Sequence, residues 1–167
     1  SASLGDMSHI VLYDVPGFDS PTDLHKKQTA AMLKEADAII VVTNVGDRPN
    51  LVSTQLDMLH KERDADNVPL SDKAFVFGNK IDIVANAQVA KGNIAALCRD
   101  VKKYRIADPE HVICGSAKVF LEGLGVMSED EERRRGEPIK PKFDAWELPD
   151  GDGVAVLHDK MTDYYKI

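Results

Sequence analysis

Four short apolar runs punctuate this chain, and each gives way abruptly to polar or glycine-bearing sequence. His9–Tyr13 (HIVLY) leads into Asp14-Val15-Pro16-Gly17. Ala38–Thr43 (AIIVVT) is β-branched and carries no charge. Ala74–Phe77 (AFVF) ends at Gly78, and Val112–Cys114 (VIC) ends at Gly115. Short runs of this kind read as strands covered on both faces. Between them lie segments with apolar residues at helical spacing. Thr22–Ala36 places Leu24, Ala31, Met32 and Ala36 among charges, and Leu51–Glu62 repeats Leu51, Leu56 and Leu59. Val89–Tyr104 aligns Val89, Ile94, Leu97, Val101 and Tyr104. Val154–Tyr165 aligns Val154, Leu157, Met161 and Tyr164 or Tyr165. Strands alternating with helices predict an α/β fold, a three-layer sandwich with a mainly parallel sheet. Ligands of such sheets sit at the carboxyl ends of the strands.

The 167 residues fit one domain, 1–167, and a 43% hydrophobic content supplies a core. A formal charge of −7 speaks against broad binding to nucleic acid or to anionic membrane. The two cysteines, Cys98 and Cys114, lack zinc-site spacing and suit a reducing compartment. No signal-peptide or membrane-span pattern appears, so a cytoplasmic location is expected. The opening Ser1-Ala2-Ser3-Leu4 reads as the start of an excised fragment. One segment breaks the rhythm: Glu122–Asp152 is rich in charge, Gly and Pro, with Glu129-Asp130-Glu131-Glu132 followed by Arg133-Arg134-Arg135. It reads as an inserted loop, 122–152. A sharper expectation makes it a surface for self-association or for a protein partner, with Phe143 and Trp146 as apolar anchors. Asp150-Gly151-Asp152-Gly153 reads as a turn.

Three polar motifs follow the apolar runs. Asp14 ends the first, where a carboxylate can hold magnesium through a bound water. Gly17 has no side chain to block its amide from a γ-phosphate. Taken alone, this motif equally fits a strand ending in a turn. Asn79-Lys80-Ile81-Asp82 says more. A carboxylate at Asp82 accepts two hydrogen bonds from guanine N1–H and its N2 amine, a donor pair that adenine lacks. Lys80 can lay its stem along the base, and Asn79 can tie neighbouring loops together. Ser116-Ala117-Lys118 follows the last run. There the Ala117 amide can reach guanine O6 and Lys118 can close over base and ribose, although Ser116 alone also fits a helix cap.

In this order, the motifs resemble the magnesium-side, base-reading and ribose-side loops of a P-loop GTPase domain. The similarity is to the dynamin-like and septin-like, translation-factor-related group. Asp14-Val15-Pro16-Gly17-Phe18 with its Asp19-Ser20-Pro21 sequel, and Glu35-Ala36-Asp37-Ala38 before a β-branched run, strengthen it. The resemblance covers His9 to Ser116, resumes at the last helical segment and leaves out the charged insert. It implies GTP or GDP and Mg2+ as cofactors, with catalytic-side residues Asp14 and Gly17. It further implies a nucleotide-binding set of Asn79, Lys80, Asp82, Ser116, Ala117 and Lys118. Association with membranes is implied by the resemblance alone.

Two departures shape the expectation. Phe18 stands where small GTPases carry a water-orienting glutamine. No Gly-x-x-x-x-Gly-Lys-Ser/Thr phosphate loop precedes Asp14, so the fold expected is an incomplete P-loop GTPase fold. Without that segment, two strand edges are expected to lack a partner. The parent protein is expected to be a GTPase, and this chain alone to bind GTP poorly without measurable turnover. The competing reading is a degenerate GTPase-like scaffold that binds protein partners through 122–152. A phosphatase or kinase on a similar sheet would need a nucleophilic Asp-x-Asp motif, which Asp14-Val15-Pro16 does not provide.

Overall fold

The structure, a computed structural model, describes residues 11–15, 23–46, 58–126 and 138–165. The first helix, α1, spans Asp23–Glu35 and leads into strand β1, Ile39–Asn44. Strand β2 is Ala74–Asn79, followed by helix α2, Ala87–Tyr104. Strand β3 is Val112–Cys114, and helix α3 is Ala117–Gly123. Helices α4, Lys140–Asp144, and α5, Val154–Tyr165, follow among the described residues. The protein is thus α/β, with a parallel sheet ordered β1-β2-β3.

Local chemistry accounts for these elements. The β-branched Ile39-Ile40-Val41-Val42 run favours extended backbone. Asn86 caps α2 by accepting the Val89 amide at 3.0 Å, and Lys102 and Lys103 complement the dipole at its far end. Arg105 closes that helix in the left-handed conformation, φ 52°.

Strand alternation divides the core. Ile39, Val41, Ala74, Val76 and Cys114 join Leu97 and Val101 of α2 in one cluster. Phe75, Phe77 and Ile113 meet Val154, Leu157 and Met161 of α5 in the other. Helices therefore cover both faces of the sheet, which accounts for strands that read as continuously apolar. Among the described residues β1 pairs with β2 alone, and Val42 is 62% exposed.

Two expectations need correction. Of the strand expected over His9–Tyr13, His9 and Ile10 lie outside the described residues, while Val11, Leu12 and Tyr13 form no strand and are about seven-tenths exposed (72, 69 and 72%). Apolar composition supplies strand propensity, but a strand also needs a neighbouring edge, and no described strand pairs with these residues. Phe143 and Trp146 are not surface anchors. They are 2% and 8% exposed and pack in the α2-side core with Leu148. Glu122 accepts the Ile139 and Lys140 amides at 3.2 and 3.0 Å, fastening the base of the 122–152 segment. Residues 127–137, including the Glu129–Arg135 charge run, lie outside the described residues, as do most of the expected Leu51–Glu62 helix (58–61 are helical).

Among the described residues no helix is long and apolar enough to cross a membrane.

Candidate functional site at the carboxyl ends of the strands

Asn79 is the last residue of β2, and its side chain turns back on the chain. Its Oδ1 accepts the Lys80 amide at 2.8 Å and the Ala117 amide at 3.0 Å. Lys80 follows in the left-handed region, φ 66° and ψ 29°, a conformation that costs a non-glycine residue about 1 kcal/mol. A single 3-10 turn, Ile81–Ile83, comes next. Ile81 is fully buried and anchors it, while Asp82 is half-buried and Ile83 is 56% exposed. The Ile81 amide donates to the Gly115 carbonyl at 3.2 Å, placing the Asp82 turn against the exit of β3.

That exit is itself fastened. The Gly115 amide donates to Gly78 at 2.9 Å, extending the β2–β3 ladder. Ser116 is fully buried, and its hydroxyl caps α3 by accepting the Val119 amide at 3.2 Å. The cap reading of Ser116 is therefore correct. Lys118 and Lys80 are both exposed.

The end of β1 joins the same rim. The Val45 amide donates to the Asn79 carbonyl at 2.9 Å, and Asn93 of α2 donates through Nδ2 to the Val45 carbonyl at 2.7 Å. Gly46 lies directly beneath the Lys80 carbonyl and the Ile83 side chain, where a Cβ would collide with both. Asn44, Asn79, Asp82, Ser116, Ala117 and Lys118 thus occupy one rim.

The magnesium-side residues are not brought there by any described contact. Asp14 is exposed on a stretch without regular structure, outside the hydrogen bonds that join the other two loops. Gly17 lies outside the described residues, as do Phe18 and Asp19. Among the described residues no cluster of three or more His, Cys, Asp or Glu forms a metal cage. A magnesium ion held mainly by phosphate oxygens and water needs no such cage, and the exposed Asp14 carboxylate is a suitable hard ligand.

Two open hollows, of about 680 and 470 Å³, lie at the opposite end of the sheet. One borders Lys34–Asp37, Arg63–Asp66 and Lys73, ahead of β1 and β2; the other borders His60, Lys102, Arg105 and His111, ahead of β3. Neither contains a motif residue. The hydrogen-bond geometry, rather than the size of a hollow, identifies the carboxyl rim as the candidate site.

Cys114 lies just behind it. Burial first, and after it the electrostatic coupling to Cys98 and to the Asp150 carboxylate, push its thiol up to about 12, so it stays protonated and unreactive at neutral pH. Cys98 is exposed yet also raised, first by partial desolvation and then by Asp150.

Reading along the sequence missed three contributors. Asn93 carries no signal, being a polar residue within a helix. Asp150 and Asp152 were marked by their Asp-Gly pairs as turn residues, and they do form a turn. That the turn grips β3 follows only from the fold: Asp150 Oδ2 accepts the Cys114 amide at 3.1 Å, and the Asp152 carbonyl accepts the Ser116 amide at 2.8 Å.

No family model matches this chain, and neither does any curated protein or solved structure.

Proposed function

We propose that this chain carries the base-recognition part of a GTP-binding, GTP-hydrolysing domain built on an incomplete P-loop GTPase fold. One observation carries the reading: a single side-chain oxygen, Asn79 Oδ1, couples the Lys80–Asp82 turn to the Ser116–Lys118 loop across the carboxyl ends of two parallel strands. In this reading Asp82 accepts the two donors of the guanine edge. Lys80 and Lys118 lie along the base and the ribose, and Ser116 fixes the loop between them. The Ala117 amide already donates to Asn79, so a contact to guanine O6 would have to share that proton. Asp14 would hold Mg2+ through a water, with Gly17 on the γ-phosphate side; the ion would neutralise developing phosphate charge. A cytoplasmic setting, rich in GTP and magnesium, suits this chemistry.

A second reading, the degenerate scaffold that binds protein through 122–152, is favoured by the same Ala117 amide. Its engagement by Asn79 lets the rim satisfy itself without a nucleotide.

The readings separate by titrating GDP and XDP into the wild-type chain and D82N, following the backbone NMR signals of Lys80, Ala117 and Lys118. Asp82 recognition predicts a guanine preference in the wild type and a xanthine preference in D82N. Affinity of these 167 residues should be weak, since they carry no Gly-x-x-x-x-Gly-Lys-Ser/Thr motif to grip the phosphates. No response to either nucleotide in both proteins would leave the scaffold.

A further inference from the structure

We propose that the turn preceding α5 is a clasp that positions the Ser116–Lys118 loop, with Asp150 as its positioning residue. This rests on the nucleotide reading above.

Four consecutive amides leave β3, and each has a separate acceptor. Cys114 donates to the Asp150 carboxylate, Gly115 to the Gly78 carbonyl, Ser116 to the Asp152 carbonyl and Ala117 to Asn79 Oδ1. The acceptors alternate between the turn on one side and β2 on the other. The strand exit is therefore gripped from both sides over the residues that precede Lys118.

The fit leaves no slack. At Gly115 any Cβ would collide with the Asp152 carbonyl, so backbone meets backbone. Gly153, at φ 80°, presses on the Cys114 carbonyl, where a Cβ would come within 3.0 Å. The turn is braced internally by the Gly153 amide on the Asp150 carbonyl at 2.9 Å, and by Asp152 Oδ1 on the Val154 amide at 3.1 Å. Leu148, just ahead of it, is anchored in the core. Asp152 thus faces two ways, side chain to α5 and carbonyl to Ser116.

Asp150 is the adjustable member, because its contact runs through a side chain. Cys114 is only 2% exposed, so its amide finds no water in place of the carboxylate. Removing that acceptor strands a buried donor, while asparagine retains an oxygen in the same place.

The test is amide hydrogen exchange by NMR on the full chain, comparing wild type, D150A and D150N, with GDP titration on each. In the wild type, Cys114 and Ser116 should exchange as slowly as Val76 of β2. D150A should speed exchange at Cys114–Ala117 about tenfold relative to β2, and D150N should restore most of the protection. GDP-induced shifts at Lys118 should weaken in D150A, with those at Lys80 retained. Fast exchange at Cys114 in the wild type overturns the proposal even if D150A fails to fold. So does uniform acceleration across the sheet, or D150A matching wild type. If the exchange pattern appears but no protein responds to GDP, the clasp stands and only the nucleotide reading fails.

Discussion

The Asn79 side chain accepts the backbone amide of Ala117 at 3.0 Å across 38 positions of sequence. This bond joins the two motifs whose sequence is expected to set them on one guanine, Asp82 at N1–H and the N2 amine and Ala117 at O6. Both motifs follow neighbouring parallel strands, so register alone brings their starts together. The side chain fixes their relative height, and Lys80 accepts a left-handed backbone while the same oxygen holds its amide.

Asn79→Ala should therefore act on both loops together. Ala117 is half-buried and its amide would lose its acceptor, whereas the exposed Lys80 amide can turn to water. The expected loss is about 1–3 kcal/mol in chemical denaturation with an unchanged m-value, and Asn79→Asp should recover most of it. Equal stability of N79A and wild type would show that the bond contributes nothing.

Trp146 should matter to folding rather than to partner capture. It is the chain's only tryptophan and lies 5.7 Å from Phe143, centroid to centroid, within the core. Trp146→Ala should cost about 3–5 kcal/mol, against about 0.5 kcal/mol or less for the exposed Lys142→Ala. The wild-type emission should be blue-shifted and move red in one step with the far-UV signal. Red-shifted emission from the folded chain would return Trp146 to the surface.

Much of the fold was legible because its signals are local. The uncharged Ile39–Val42 run and the spacing of Leu97 and Val101 each act within a few residues. The failures are tertiary. Val11–Tyr13 has the composition of a strand, but composition does not provide a neighbour. Phe143 and Trp146 sit in charge-rich sequence that reads as surface, yet a short helix and the turn that follows it bring them inward. At the rim, the role of Asn79 as a tie was legible while its partner was not. Asp150 could not be assigned, because its acceptor function depends on which amide the fold sets beside it.

Acid should weaken the molecule through a pair at the far end of the sheet. Lys73 Nζ lies 3.0 Å from Asp64 Oδ2, with side chains only 6% and 13% exposed, and also donates to the Lys34 carbonyl at 3.4 Å. The Val68 amide foremost, and then Lys73, hold Asp64 below its ordinary value of 3.8. A carboxylate lowered on folding adds stability that is present above its unfolded pKa and is lost as pH falls through the folded one. Asp64→Asn should therefore melt below wild type at neutral pH, since it leaves Lys73 buried without its counter-charge. The gap in Tm should narrow progressively below about pH 4, as the wild type protonates Asp64 and comes to resemble the variant. Melting curves of both proteins from neutral pH into acid measure this directly. A gap that stays constant, or widens toward low pH, would mean that the Asp64 charge is not what holds Lys73 in the core.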